Sequence, residues 1–143
     1  MDDPAIPDRI PRAGPTVVPP AMDGALRSAI SQAIVRIHAE HYGKGATQAK
    51  TYAWDNVVMT VLRDVLTTAE RTLVGLGRSD TVRDVRGTFQ VTMEPTFRST
   101  IERLTGRRVQ SFMSQIDPAN GVGVEVFVLE PVDGTPADDP PAP

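Results

Sequence analysis

The chain has 143 residues, 15 basic and 18 acidic side chains, a formal charge of −3 and no cysteine. That length suits one hydrophobic core, the absent thiols exclude a disulfide framework, and no apolar run reaches the ~18 residues of a membrane-spanning helix. The charge is split: residues 130–143 carry Glu130, Asp133, Asp138 and Asp139 with no basic residue, whereas residues 71–108 hold eight Arg against four acids.

Eleven of the 13 prolines fall within residues 1–22 or 131–143. These ends hold too few large apolar groups to offset an ordering cost of roughly 1–2 kcal/mol per residue. Residues 1–22 and 132–143 are therefore expected to be disordered tails around a body at 23–131. The N-terminus lacks the basic start and apolar run of a signal peptide; with the missing thiols, this fits a cytoplasmic location.

In the body, Asp23 is a candidate N-cap, followed by Leu26, Ile30, Ala33, Ile34 and Ile37 at helical spacing. Gly43 can close that helix in the left-handed conformation, with Gly45 two residues on. Residues 51–62 end in Val57-Val58-Met59-Thr60-Val61-Leu62, which is apolar on both faces and reads as an interior strand. Thr67 and Glu70 have the spacing of a capping box and open a helix over about 68–76, with Leu73 and Leu76 inward. From Asp80 to Leu104, the residues Val82, Val85, Phe89, Met93, Phe97, Ile101 and Leu104 mark a helix roughly 36 Å long at 1.5 Å per residue. Pro95 predicts a kink or break near 91–95, and Gly106 closes the segment. Val109–Ile116 and Val122–Leu129 form a hairpin across Asp117-Pro118-Ala119-Asn120-Gly121. Its second arm sets Val124, Val126 and Val128 against Glu125, Phe127 and Leu129, so burial is expected on both sides.

The expected fold is α+β in two layers, ordered α-β-α-α-β-β, with a three-stranded sheet. Its edges leave room for a second subunit, and a homodimer is expected.

The chemistry-bearing residues mostly take plain readings. His38 and His41 lie three apart and could offer two nitrogens to a metal, but zinc needs further ligands and none is evident. No metal or cofactor is assigned. Gly43-Lys44-Gly45 follows a helix and leads into a strand, so a C-cap is preferred over a phosphate loop. Arg83, Arg86, Arg103, Arg107 and Arg108 suggest an anionic partner. Asp80, Asp84, Glu94 and Glu102 can pair with them locally, and few aromatics are free to stack, which argues against nucleic acid. Lys44, Arg86, Arg107 and Arg108 are the candidate anion contacts. Asp55 and Asp64 flank the central strand without a matching nucleophile, and Asp55-Asn56 reads as a turn. Trp54 suits an interface or the core; Trp54, Phe112 and Phe127 are the candidate interface residues. No catalytic constellation emerges, and the chain is read as not an enzyme.

Gly43-Lys44-Gly45, Leu66-Thr67-Thr68-Ala69-Glu70, Arg86 with Phe89, Leu104-Thr105-Gly106-Arg107-Arg108-Val109 and Val126-Phe127-Val128-Leu129-Glu130-Pro131 together resemble the MpsC-like family over about 24–131. That family is named after component C of a sodium-translocating, membrane-potential-generating system. The chain departs from the pattern at Ala46, where proline is expected, and at Pro95. The resemblance implies association with sodium or proton handling and inorganic-carbon supply. A chain without a span cannot itself form the ion path. The resulting expectation is a soluble accessory or regulatory protein that associates with a membrane transporter subunit. The alternative is a homo-oligomeric domain that senses an anion or nucleotide.

Overall fold

The computed structural model describes residues 22–132, so the tails expected at 1–22 and 132–143 lie almost wholly outside the described residues. The elements are α1 (Gly24–Tyr42), β1 (Gln48–Trp54), β2 (Val57–Arg63), α2 (Thr68–Gly75), α3 (Ser79–Thr105), β3 (Val109–Asp117) and β4 (Val122–Leu129). The strands form one antiparallel sheet in the order β1-β2-β4-β3, with α1 and α3 on one face and α2 against α3.

The local signals work as their chemistry requires. Asp23 Oδ1 accepts from the Leu26 N–H at 2.9 Å, and Gly43, at φ 77°, returns its N–H to the Ala39 carbonyl. Thr67 and Glu70 form both bonds of the capping box. The α+β class, the three helices and the hairpin stand as expected.

The sheet, however, has four strands rather than three. β1 has no apolar run: Ala49, Thr51 and Ala53 face the helices while Lys50, Tyr52 and Trp54 face away. It holds its place because Asp55, in the left-handed region at φ 51°, turns the chain tightly back so that Trp54 pairs with Val57.

Pro95 does not split α3, which runs uninterrupted from Ser79 to Thr105. The carbonyl four residues back belongs to Val91, itself strongly exposed, and water can satisfy it. Three inward assignments fail, because Leu76 is 70% exposed, Val85 42% and Phe89 38%. The helix ends at Gly75, which leaves Leu76 in the connection beyond it, and Phe89 reaches only the rim, against Tyr42.

The core lies between the sheet and α1 with α3. Ile30, Ile34, Leu62, Ile101 and Leu129 are almost wholly buried, and Phe97 bridges Phe112 and Phe127 at ring separations of 5.3 and 6.3 Å. An extra residue at Gln110 makes a bulge in β3, which lets Val109 and Phe112, three apart, both point inward.

Candidate functional site

Five charged or polar side chains run through the interior, where apolar packing would be the default. Glu125 is the only charged residue of β4, and it shares the inward parity of Phe127 and Leu129. His38 falls one helical turn after Ile34 and is buried too. The two meet with His38 Nε2 2.9 Å from Glu125 Oε1. Tyr42, one turn further on, sits edge-on to His38, and the Arg86 guanidinium carbon lies 3.8 Å above the Tyr42 ring. Arg86 in turn grips Glu70 through Nε and Nη2, each at 2.6 Å, and donates to the Val65 carbonyl at 2.8 Å. A helix cap, a loop, two helices and a central strand are thus tied by one chain of polar groups.

Environment sets the charge states along this chain. Burial opposes ionisation of Glu70, but the Arg86 hydrogen bonds, the Thr67 N–H and the guanidinium charge outweigh it and hold the carboxyl below its ordinary value. Burial raises Tyr42, against the pull of Arg86, so its phenol stays protonated at neutral pH and can donate a hydrogen bond. Beside His38 and Glu125 the inner face continues with hydroxyls: Ser31 to Thr51 at 2.7 Å, and Thr51 to Thr60 at 2.8 Å.

A cavity of about 90 Å³ opens at the β3 edge of this network. His38, Tyr42, Arg83, Arg86, Ser114 and Glu125 are among its walls. Among the described residues, Glu125 Oε2 is buried without a hydrogen-bond partner.

Among the described residues, no helix covers the sheet's other face. In register across β1, β2, β4 and β3 it presents Trp54, Val57, Val128 and Ser111, then Tyr52, Met59, Val126 and Met113, then Lys50, Val61, Val124 and Gln115. The valines are half-buried by their neighbours alone, while Trp54 and Met113 are each 52% exposed. Burial on both sides, expected from the sequence of the hairpin, is therefore not achieved among the described residues.

The residues singled out from sequence scatter. Lys44 bonds the Asp64 carboxylate at 2.9 Å and the Asp64 and Leu66 carbonyls, pinning the loop after β2; the Lys44 ammonium holds Asp64 below its ordinary value. Arg86 is consumed by Glu70. Arg107 reaches Asn56 Oδ1 at 2.6 Å and the Glu130 carbonyl at the opposite end of β2, and burial lowers its pKa; Arg108 is exposed. The four cations form no common cradle. Trp54 is on the surface, whereas Phe112 and Phe127 belong to the core beneath the helices and offer nothing to a partner. His41 bonds the Ile37 carbonyl, and among the described residues no three His, Asp or Glu side chains gather as metal ligands. The sequence reading missed the pairing of His38 with Glu125, although a lone acid at core parity in a valine strand was its signal.

Residues 22–131 match the family described as "Na+-translocating membrane potential-generating system (MpsC)". The chain is also 25% identical over 107 residues to the uncharacterized protein YbcI of Bacillus subtilis (strain 168), covering 74% of this chain and 86% of that one. No solved structure matches it. Among the described residues, no helix is long and apolar enough to cross a membrane.

Proposed function

The chain belongs to the MpsC family, and from that premise we propose that it is a non-catalytic, homodimeric accessory protein of a Na+-translocating membrane potential-generating system. It works by association, and its working unit is a pair of chains packed through their open sheet faces. The observation that carries this reading is the open face itself: β2 and β4 are largely apolar on both sides, as strands buried on both sides are, yet among the described residues helices cover only one.

The second copy suits that face better than a random apolar surface would. A two-fold axis parallel to the strands lays β1 of one chain over β3 of the other at the ~10 Å spacing of packed sheets. Each register row then meets its own counterpart. Trp54 comes over Ser111, large against small, and Tyr52 over Met113. In the last two rows Lys50 comes over Gln115 and Gln48 over Asp117, with Arg63 of β2 one strand in from that carboxylate. Apolar centre and opposite charges at the rim are the pattern of a specific interface.

Family membership supports the link to the membrane system. The test is mild-detergent co-purification of the tagged chain from native membranes. Enrichment of a Na+-translocating membrane subunit, lost when Tyr52 and Met113 are both replaced by Glu, supports the reading. A chain recovered with no such subunit contradicts it.

A further inference from the structure

We propose that the cavity beside His38 and Glu125 binds a small zwitterion, a carboxylate and an ammonium group on a skeleton the size of the simplest amino acids. The site is separate from the open sheet face and the inference does not rest on dimerisation. Glu125 is 3% exposed, Oε1 is engaged by His38, and Oε2 has no donor. A buried acceptor left unmatched destabilises the fold, and Glu125 lines the cavity, where a donor can be supplied.

The walls decide what kind of donor it is. A simple cation would meet Arg83 and Arg86 in the same small space. Arg86 is neutralised by Glu70, but among the described residues Arg83 has only an exposed, 3.3 Å contact with Asp80, and its guanidinium stands at the mouth. A simple anion would satisfy Arg83 while placing negative charge beside a carboxylate oxygen that needs a donor. A molecule with both groups answers both ends: ammonium toward Glu125, carboxylate toward Arg83, with the Tyr42 phenol and the Ser114 hydroxyl as further hydrogen-bonding groups on the wall. The volume, about 90 Å³, is several times the ~10–15 Å³ of cavity that one water needs, which is room for a molecule of a few heavy atoms such as glycine or alanine.

The experiment is an amide-detected NMR titration of the full chain with glycine and L-alanine, alongside acetate and methylammonium at matched ionic strength. Saturable shifts at Gly87, Ser114 and Ile116 with an amino acid, absent with either half-molecule, are expected. Arg83→Gln, a surface change that leaves the fold intact, should weaken that binding at least tenfold; Glu125→Gln should abolish it. No saturable response to either amino acid overturns the proposal, as does an equal response to acetate or an Arg83→Gln variant that binds unchanged.

Discussion

Glu70 closes the N-terminus of α2 and clamps Arg86 with one carboxylate: Oε1 accepts from the Thr67 N–H at 2.9 Å and from Arg86 Nη2 at 2.6 Å, while Oε2 accepts from Arg86 Nε at 2.6 Å. A motif that from sequence alone reports only a helix start is therefore also the anchor of α3. Replacing Arg86 by Met leaves that carboxylate buried and unpaired, which should cost about 3–5 kcal/mol. Urea denaturation checks this, and adding Glu70→Gln to Arg86→Met should return part of the loss.

The same pair sets an acid limit. The folded-state carboxyl of Glu70 titrates below its unfolded value, so its contribution is complete above the unfolded pKa of about 4.3 and is lost as pH falls through the folded one. Unfolding free energy should therefore fall below about pH 4.3, and Glu70→Gln should flatten that part of the profile relative to wild type.

Gly45 lies where the chain presses onto α1. A Cβ there would stand 2.8 Å from Val35 Cγ1 and 2.9 Å from the Val35 carbonyl oxygen. The side-chain contact could yield, but the backbone one cannot without moving α1. Gly45→Ala should cost about 1–3 kcal/mol by thermal or urea unfolding, and Val35→Ala should relieve little of it. At Gly24, where an added Cβ meets nothing, alanine should be neutral or slightly stabilising.

The open face and the core should respond differently to charge. Met113 is half-exposed and Phe112 is 8% exposed although they are neighbours on β3. Met113→Glu should leave the circular dichroism spectrum and monomer stability within about 0.5 kcal/mol, whereas Phe112→Ala should cost about 3–5 kcal/mol.

Where local chemistry decides the outcome, the sequence is legible. Asp23, Gly43, Thr67 with Glu70, and Gly106 each act on backbone groups within a few residues and mark the helix ends as read. β1 is illegible for the opposite reason: its strand state comes from pairing with β2, since its inward residues are small or polar and carry no apolar period. Pro95 is similar, because only the exposure of its helix face tells whether a freed carbonyl can be tolerated. Half of the candidate site was visible in outline. The parity of Glu125 and the turn spacing of Ile34, His38 and Tyr42 point inward from sequence, but their meeting depends on how α1 crosses the sheet, 87 residues away along the chain. The arginines misled for a related reason: Arg86 and Arg107 sit in a basic stretch, yet long-range partners hold each one.

The most direct measurement is the solution mass of the full chain, by light scattering after gel filtration, for wild type and for the Tyr52→Glu, Met113→Glu double variant. In the proposed dimer these two positions of opposite chains face each other, so the variant sets like charges across the interface. Wild type should run at twice the chain mass and the variant at the chain mass with an unchanged circular dichroism spectrum. A monomeric wild type, or a variant that remains dimeric, would contradict association through the open sheet face.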